Sequence, residues 1–448
     1  MSTRILLAST LYGTATLAAA IDAGQFAPVD RTILLLSNNA ANPETTPGPD
    51  ALAGFSRLRT RFDEVRHWNE AIAPFHPGAW DPAPDDVPLW ERYLRLLWGL
   101  GAEEEVEFVV ESIQVVPALA VTTIFTGARV DVYADGLMSY GPTRNKLDPL
   151  LGTRIERLLH LDLVPGLEPL LLSEFGVRRE VVDAEAFVRV LAEVAEESPE
   201  LPELPSSRPA LLLGQYLSAL GILTPEEEET LHADMVRGAV ALGHRSLVFK
   251  PHPTAPARWA RLMEAEAERL GAELLVLDVP LLAETLYPAL KPALVVGCFS
   301  TALLTAATLY GLPVARTGTG RLLERLTPFE NSNRVPVTLV DALLPDLEDA
   351  EAVAAQDLAA SPATQELLVA VGFAMQPKIH PGLRARAEAH LAECGEETAR
   401  RYVKRKRLTT LGLPGGMPQQ LGFLPRNATV RKVARRTRAL RSRVGRRK

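Results

Sequence analysis

The sequence predicts an α/β protein of two domains, each a parallel sheet wrapped by helices, that face one another across a cleft. Three observations predict it. Short apolar runs alternate with helical patterns along most of the 448 residues, the signature of strands joined by helical crossovers. At ~100–200 residues per domain, that length suits two or three domains. A stretch rich in Glu, Pro and Ser, residues 194–209, interrupts the rhythm near its middle and reads as an interdomain linker. The composition, 47% hydrophobic and 23% charged, is that of an ordinary globular protein. The two cysteines, Cys298 and Cys394, are too few for a disulfide framework, suit a reducing compartment and show no metal-ligand spacing. No apolar run approaches the ~20 residues that cross a bilayer.

The first domain spans 1–193. Arg4 to Ala8 reads as a strand and Thr14 to Ala23 as a helix. Polar and turn residues, Ser9 to Thr14, break the apolar stretch that would otherwise resemble a signal peptide. Thr32 to Leu36 is the second strand, Trp90 to Leu100 a helix and Val106 to Val110 a strand. Pro117 starts a helix that ends near Phe125, Pro being favoured in a first turn. Ala128 to Val132 and Arg157 to Leu163 are further strands.

The second domain spans 210–345. Ala210 to Leu213 is a short strand followed by Gly214-Gln215-Tyr216. Thr224-Pro225-Glu226-Glu227 starts a helix with a cap, a Pro at the first position and acids in the first turn, and Gly243 ends it. Strands follow at Ser246 to Phe249, Glu273 to Leu277, Ala293 to Val296 and Leu312 to Ala315. Helices follow at Trp259 to Leu270, from Ala283, and from Ser300 to Tyr310. Residues 346–400 read as a helical segment and 401–448 as a basic tail.

Three islands carry the chemistry. Tyr133-Ala134-Asp135-Gly136, Lys250-Pro251-His252-Pro253 and Cys298-Phe299-Ser300-Thr301 each begin where a strand-like run stops. Ligands of open α/β sheets bind outside the carboxyl ends of the strands. Asp135 can take a proton from a hydroxyl, although Asp-Gly is also a common turn pair. His252, stiffened between two prolines, can donate to a leaving phosphate. Ser300 and Thr301 suit a helix cap and can hold phosphate oxygens at the same helix terminus. Lys250 is either a solvated charge or an attractor of phosphate. Glu284, early in a short helix, either accepts from ribose hydroxyls or complements the helix dipole.

The order and spacing of these islands resemble the bacterial sialyltransferases and polysialyltransferases of the GT-B fold. Asp135-Gly136 matches the acidic motif of that family, His252-Pro253 its His-Pro motif, and Ser300-Thr301 its Ser-Ser/Thr motif. The resemblance runs from about Thr3 to about Thr319. Ala134 departs from it, standing where an acidic residue is common. The resemblance implies Asp135 and His252 as catalytic residues, with Gly136, Lys250, Pro253, Glu284, Ser300 and Thr301 binding the donor. It implies an inverting transfer of sialic acid, or a related nonulosonic acid, from a CMP-activated donor to a glycan acceptor in surface polysaccharide synthesis. No Asp-x-Asp pair of the metal-dependent kind is present, so neither a metal nor another cofactor is expected. A polyol-phosphate polymerase that uses a CDP-alcohol donor, or a catalytically idle glycan-binding protein, are the alternatives.

The end of the chain is a separate matter. Residues 401–448 hold 12 Arg and 4 Lys with no Asp or Glu, although the whole chain carries −7. Val430, Val433, Leu440 and Val444 form an apolar stripe interrupted at Thr437. This reads as a weakly amphipathic basic helix on an anionic membrane surface, or as a solvated tail. With no aromatic residue after Phe423 to stack on bases, nucleic acid is not the expected partner. The expected location is the cytoplasm, peripheral on the inner face of the cell membrane.

Overall fold

The computed structural model describes residues 1–199, 201–202, 208–252, 255–355 and 361–417. The first sheet contains β1 (Ser2–Ala8), β2 (Arg31–Leu36), β3 (Glu64–His67), β4 (Glu105–Glu111), β5 (Arg129–Ala134), β6 (Ile155–His160) and β7 (Arg178–Val181). Their order is β3-β2-β1-β4-β5-β6-β7, and every neighbouring pair is parallel. The second contains β8 (Ala210–Leu213), β9 (Ser246–Lys250), β10 (Glu273–Val276), β11 (Leu294–Gly297) and β12 (Val314–Arg316). Its order is β10-β9-β8-β11-β12, again all parallel. The expected pair of Rossmann-like domains in a GT-B arrangement is therefore present.

In each sheet the chain starts at an inner strand, winds to one edge, then returns to build the other side. The order reverses between β1 and β4 and between β8 and β11. Loops leaving two such strands diverge to opposite faces and open a crevice at the carboxyl ends.

Strands covered on both faces need apolar residues at consecutive positions rather than alternate ones. Ile5, Leu6, Leu7 and Ala8 are wholly buried, as are Ala210, Leu211 and Leu212. β3 and β7 are edge strands, partly exposed and rich in charge (Glu64-Val65-Arg66-His67 and Arg178-Arg179-Glu180-Val181), and no apolar run announces them.

The domains share packed apolar surface. One apolar core takes in Leu163, Leu167 and Leu170 from the first domain, Val335 from the second, and Leu368 and Val371 from the helical segment that follows it. The helix Pro362–Met375 lies back against the first domain so closely that a Cβ on Gly372 would sit 2.5 Å from Leu170 Cδ1. The stretch expected as linker from residue 194 begins inside a helix, Ala184–Glu196, whose apolar face (Phe187, Val190, Leu191, Val194) is buried.

The tail expected from residue 401 is also not separate at its start. Buried Asp341 accepts two hydrogen bonds of 2.7 Å from Arg401 and one of 2.9 Å from the Tyr402 hydroxyl. Arg407 donates to the carbonyls of Ala374 and Met375. Residues 418–448, with the apolar stripe and most of the basic charge, lie outside the described residues.

Candidate active site

A cavity of about 790 Å³ lies between the carboxyl ends of the two sheets. Loops after β1, β4 and β5 form one wall, and loops after β8, β9 and β11 form the other. Asp135, Gly136, His252, Glu284, Ser300 and Thr301 all line it. Pro253 lies outside the described residues. Lys250 does not line it: its Nζ is buried and donates to the carbonyls of Val279 (2.8 Å) and Pro251 (3.4 Å). A buried ammonium must find acceptors, and the carbonyl that follows β10 supplies one, so direct contact between Lys250 and a bound donor is not what the geometry offers.

Asp135 immediately follows β5 and is delivered to the N-terminal turn of the helix Leu11–Asp22. Gly13 makes room for it there. A Cβ on Gly13 would lie 3.2 Å from Asp135 Oδ2 and 2.9 Å from the Tyr133 hydroxyl. Burial raises the Asp135 carboxyl to about 6, against a single opposing backbone hydrogen bond. Two further carboxyls share the cavity. Burial, with Asp135 adding charge, raises Glu111 to about 7, and burial raises Glu284 to about 7 with Asp135 as a lesser cause. Burial thus favours the protonated form of all three, and an ionised Asp135 adds to that preference in its two neighbours.

His252 stands on the opposite wall, its ring centroid 6.3 Å from that of Tyr216, which packs edge-on against Trp259. Burial lowers its basicity and the nearby Lys250 charge lowers it further, so the imidazole is neutral at pH 7. Lys250 acts on the site through this field rather than by contact.

Ser300 caps the helix Thr301–Tyr310, accepting from the N–H of Ala302 at 3.3 Å. Thr301 reaches across the cleft: a Cβ on Gly136 would lie 3.0 Å from Thr301 Oγ1. The acidic motif of one domain therefore rests directly on the hydroxyl motif of the other. Tyr12 bridges the same gap, its hydroxyl 3.3 Å from Thr305 Oγ1.

Sequence reasoning missed Glu111, Gln215 and Arg144, all of which line the cavity. Glu111 ends β4 and lies within hydrogen-bonding distance of the Tyr133 hydroxyl, 3.2 Å away. Gln215 follows β8, and its Oε1 accepts from the N–H of Phe299 at 3.0 Å, fixing the loop that leads to Ser300. Both stand at the end of a strand the sequence predicts, so the strand-end rule applied to every strand would have found them. Arg144 sits in an irregular loop and carries no such signal. Among the described residues, no three His, Cys, Asp or Glu side chains converge closely enough to hold a metal ion.

Comparison with solved structures finds distant likenesses. The GT-B domain of a sialyltransferase from Photobacterium damselae, its residues 113–497, is 12% identical, covers 76% of this chain and 96% of its own, and has a TM-score of 0.40. MurG of Acinetobacter baumannii is 11% identical over 87% of this chain and 95% of its own, with a TM-score of 0.39. The UDP-GlcNAc 2-epimerase of Methanocaldococcus jannaschii is 11% identical over 79% and 91%, with a TM-score of 0.45. No curated protein matches the chain by sequence. The assignment rests instead on a family model, Alpha-2,8-polysialyltransferase (POLYST), which matches residues 4–319. That match opens within β1 and closes after β12, so it takes in both sheets and both walls of the cavity, and the chain belongs to the alpha-2,8-polysialyltransferase family and is a glycosyltransferase.

Proposed function

We propose that the protein moves sialic acid, or a related nonulosonic acid, from a CMP-activated donor to a glycan acceptor, with inversion and without a metal ion. In this reading Asp135 takes the proton of the acceptor hydroxyl as its oxygen attacks the anomeric carbon. The bond from that carbon to the phosphate oxygen breaks, and its electron pair leaves with CMP. His252 and the hydroxyls of Ser300 and Thr301 donate hydrogen bonds to the departing phosphate. The imidazole is neutral in the empty cavity. The donor's phosphodiester carries one negative charge and gains a second as CMP departs; both would favour the cationic imidazole and so prepare it to donate. Glu284 and Glu111, whose protonated forms burial favours with Asp135 as a lesser cause, can in that form donate to sugar or ribose oxygens.

The observation that supports this best is the contact of Gly136 with Thr301, which sets base and phosphate donors on facing walls of one cavity. The basic residues beyond 417 are assigned to an anionic membrane surface, a role their charge supports. No helix among the described residues is long and apolar enough to cross a membrane. The reading is tested by incubating purified protein with CMP-sialic acid and following free CMP, with and without a sialylated acceptor. Release that the acceptor accelerates is expected. No release from CMP-sialic acid, with turnover of another activated donor, would overturn it.

A further inference from the structure

Arg144 is the one Arg or Lys among the described residues that line the cavity. It shares that cavity with three carboxyls of the protein, Glu111, Asp135 and Glu284. Its guanidinium has no ion pair and no hydrogen bond among the described residues, and burial alone depresses its basicity, with no acidic neighbour to oppose it. Burying a cation costs free energy unless an anion meets it. Among the described residues, other buried or half-buried arginines have met an anion or a set of carbonyls: Arg4 pairs with Glu107, Arg157 with Asp131 and Glu180, and Arg316 with Asp346, while Arg154 and Arg334 donate to backbone carbonyls.

The loop that carries Arg144 is built to hold it. The N–H groups of Arg144 and Asn145 both donate to Gln114 Oε1, and Asn145 Nδ2 donates to the Gln114 carbonyl at 3.1 Å. This anchoring occupies the amide oxygen of Gln114. It leaves the Gln114 amide N–H groups without an acceptor among the described residues, and Gln114 also lines the cavity. A planar guanidinium and an amide donor, fixed to one another through the backbone, match the two oxygens of a carboxylate.

The wall decides which substrate this serves. Gln114 and Arg144 belong to the first domain, on the side of Asp135, whereas His252 and Ser300 belong to the second. We propose that Arg144, assisted by the Gln114 amide, binds the carboxylate of an acidic acceptor sugar and so selects acceptor ends that carry sialic acid over neutral ones. This rests on the sialyl-transfer reading above. It also explains how an anionic acceptor enters a cavity whose own side chains are acidic: the Arg144 guanidinium offsets the repulsion from ionised Asp135.

The test is equilibrium binding without turnover. The probes are an α-2,8-linked sialic acid trimer, its methyl ester, and CMP, each titrated into wild type and R144A. Wild type should prefer the acid to the ester, and R144A should lose about 10–100-fold in affinity for the acid, the worth of a charged hydrogen-bonded pair. The ester should bind both proteins alike, and CMP affinity should change little. R144K, which keeps the charge but not the fork, should fall between them, and it replaces R144A should that variant melt early. Undiminished binding of the acid by a folded variant overturns the proposal, as does a loss confined to CMP, which would place Arg144 on the donor phosphate. The outcome is separable from the donor reading. A wild type that releases no CMP from CMP-sialic acid, yet binds the trimer through Arg144, refutes the donor and leaves this inference standing.

Discussion

Replacing Asp135 with Asn removes the proton acceptor while keeping its shape, and two consequences follow from one cause. Asn cannot take the acceptor proton, so turnover should fall by ~10²–10⁴-fold, the usual worth of a positioned base. The carboxyl is raised from the ordinary aspartate value of 3.8 to about 6. Only its ionised form accepts a proton, so wild-type activity should rise with pH through about 6. Below that it should fall tenfold per pH unit, a limb the variant should lack. The same shift also governs stability. The folded value lies above the unfolded one, so this group's contribution is fully present below about 4 and is lost as pH rises through about 6. A displacement of about two pH units corresponds to at most ~3 kcal/mol, less because the cavity admits water. D135N should therefore melt at a higher temperature than wild type at pH 8 and at the same temperature at pH 4. Initial rates of CMP release from pH 5 to 9, with melting curves at both ends, make the comparison. A folded D135N with more than a tenth of wild-type turnover refutes the role of base. A variant that is less stable at pH 8 refutes the electrostatic account.

His252→Ala should lower turnover by at least ~10²-fold without loss of fold, measured as CMP release beside a melting curve. Gly13→Ala should reduce activity, because its Cβ would fall 2.9 Å from the Tyr133 hydroxyl and 3.2 Å from Asp135 Oδ2; overpacking of this kind is worth ~1–3 kcal/mol, and wild-type kinetics would show that the two groups are free to move. Turnover should persist in excess EDTA, since His252, Ser300 and Thr301 supply the phosphate donors; loss on chelation that Mg²⁺ or Mn²⁺ restores would require a metal. Removal of residues 425–448 should release the protein from anionic vesicles in a salt-sensitive manner, each basic residue near the surface contributing up to ~1 kcal/mol; equal co-sedimentation of both forms would remove the anchor.

The sequence by itself determined the parts of this protein that depend on neighbours along the chain. Inner parallel strands are buried on both faces, so the apolar runs of β5, β9 and β11 announced themselves, and the polar residues that stop each run line the cavity between the sheets. Asp135, His252 and Ser300-Thr301 were legible for that reason. Capping chemistry was legible too: Thr224 caps the helix as expected, and the structure adds a reciprocal bond from Glu227. Tertiary structure alone decided what depends on pairing and direction. The edge strands β3 and β7 carry charge because one of their sides faces water, so no pattern marked them. Lys250 looked like a phosphate ligand from its place beside His252, but strand direction carries its ammonium to the Val279 carbonyl. Arg401 and Arg407 looked like the start of the basic tail, but Asp341 and the carbonyls of a distant helix take them up. Arg144 has no sequence signal. Its meaning comes from which cavity it enters and from the absence there, among the described residues, of any side chain that neutralises it, and both are properties of chain segments brought together only by folding.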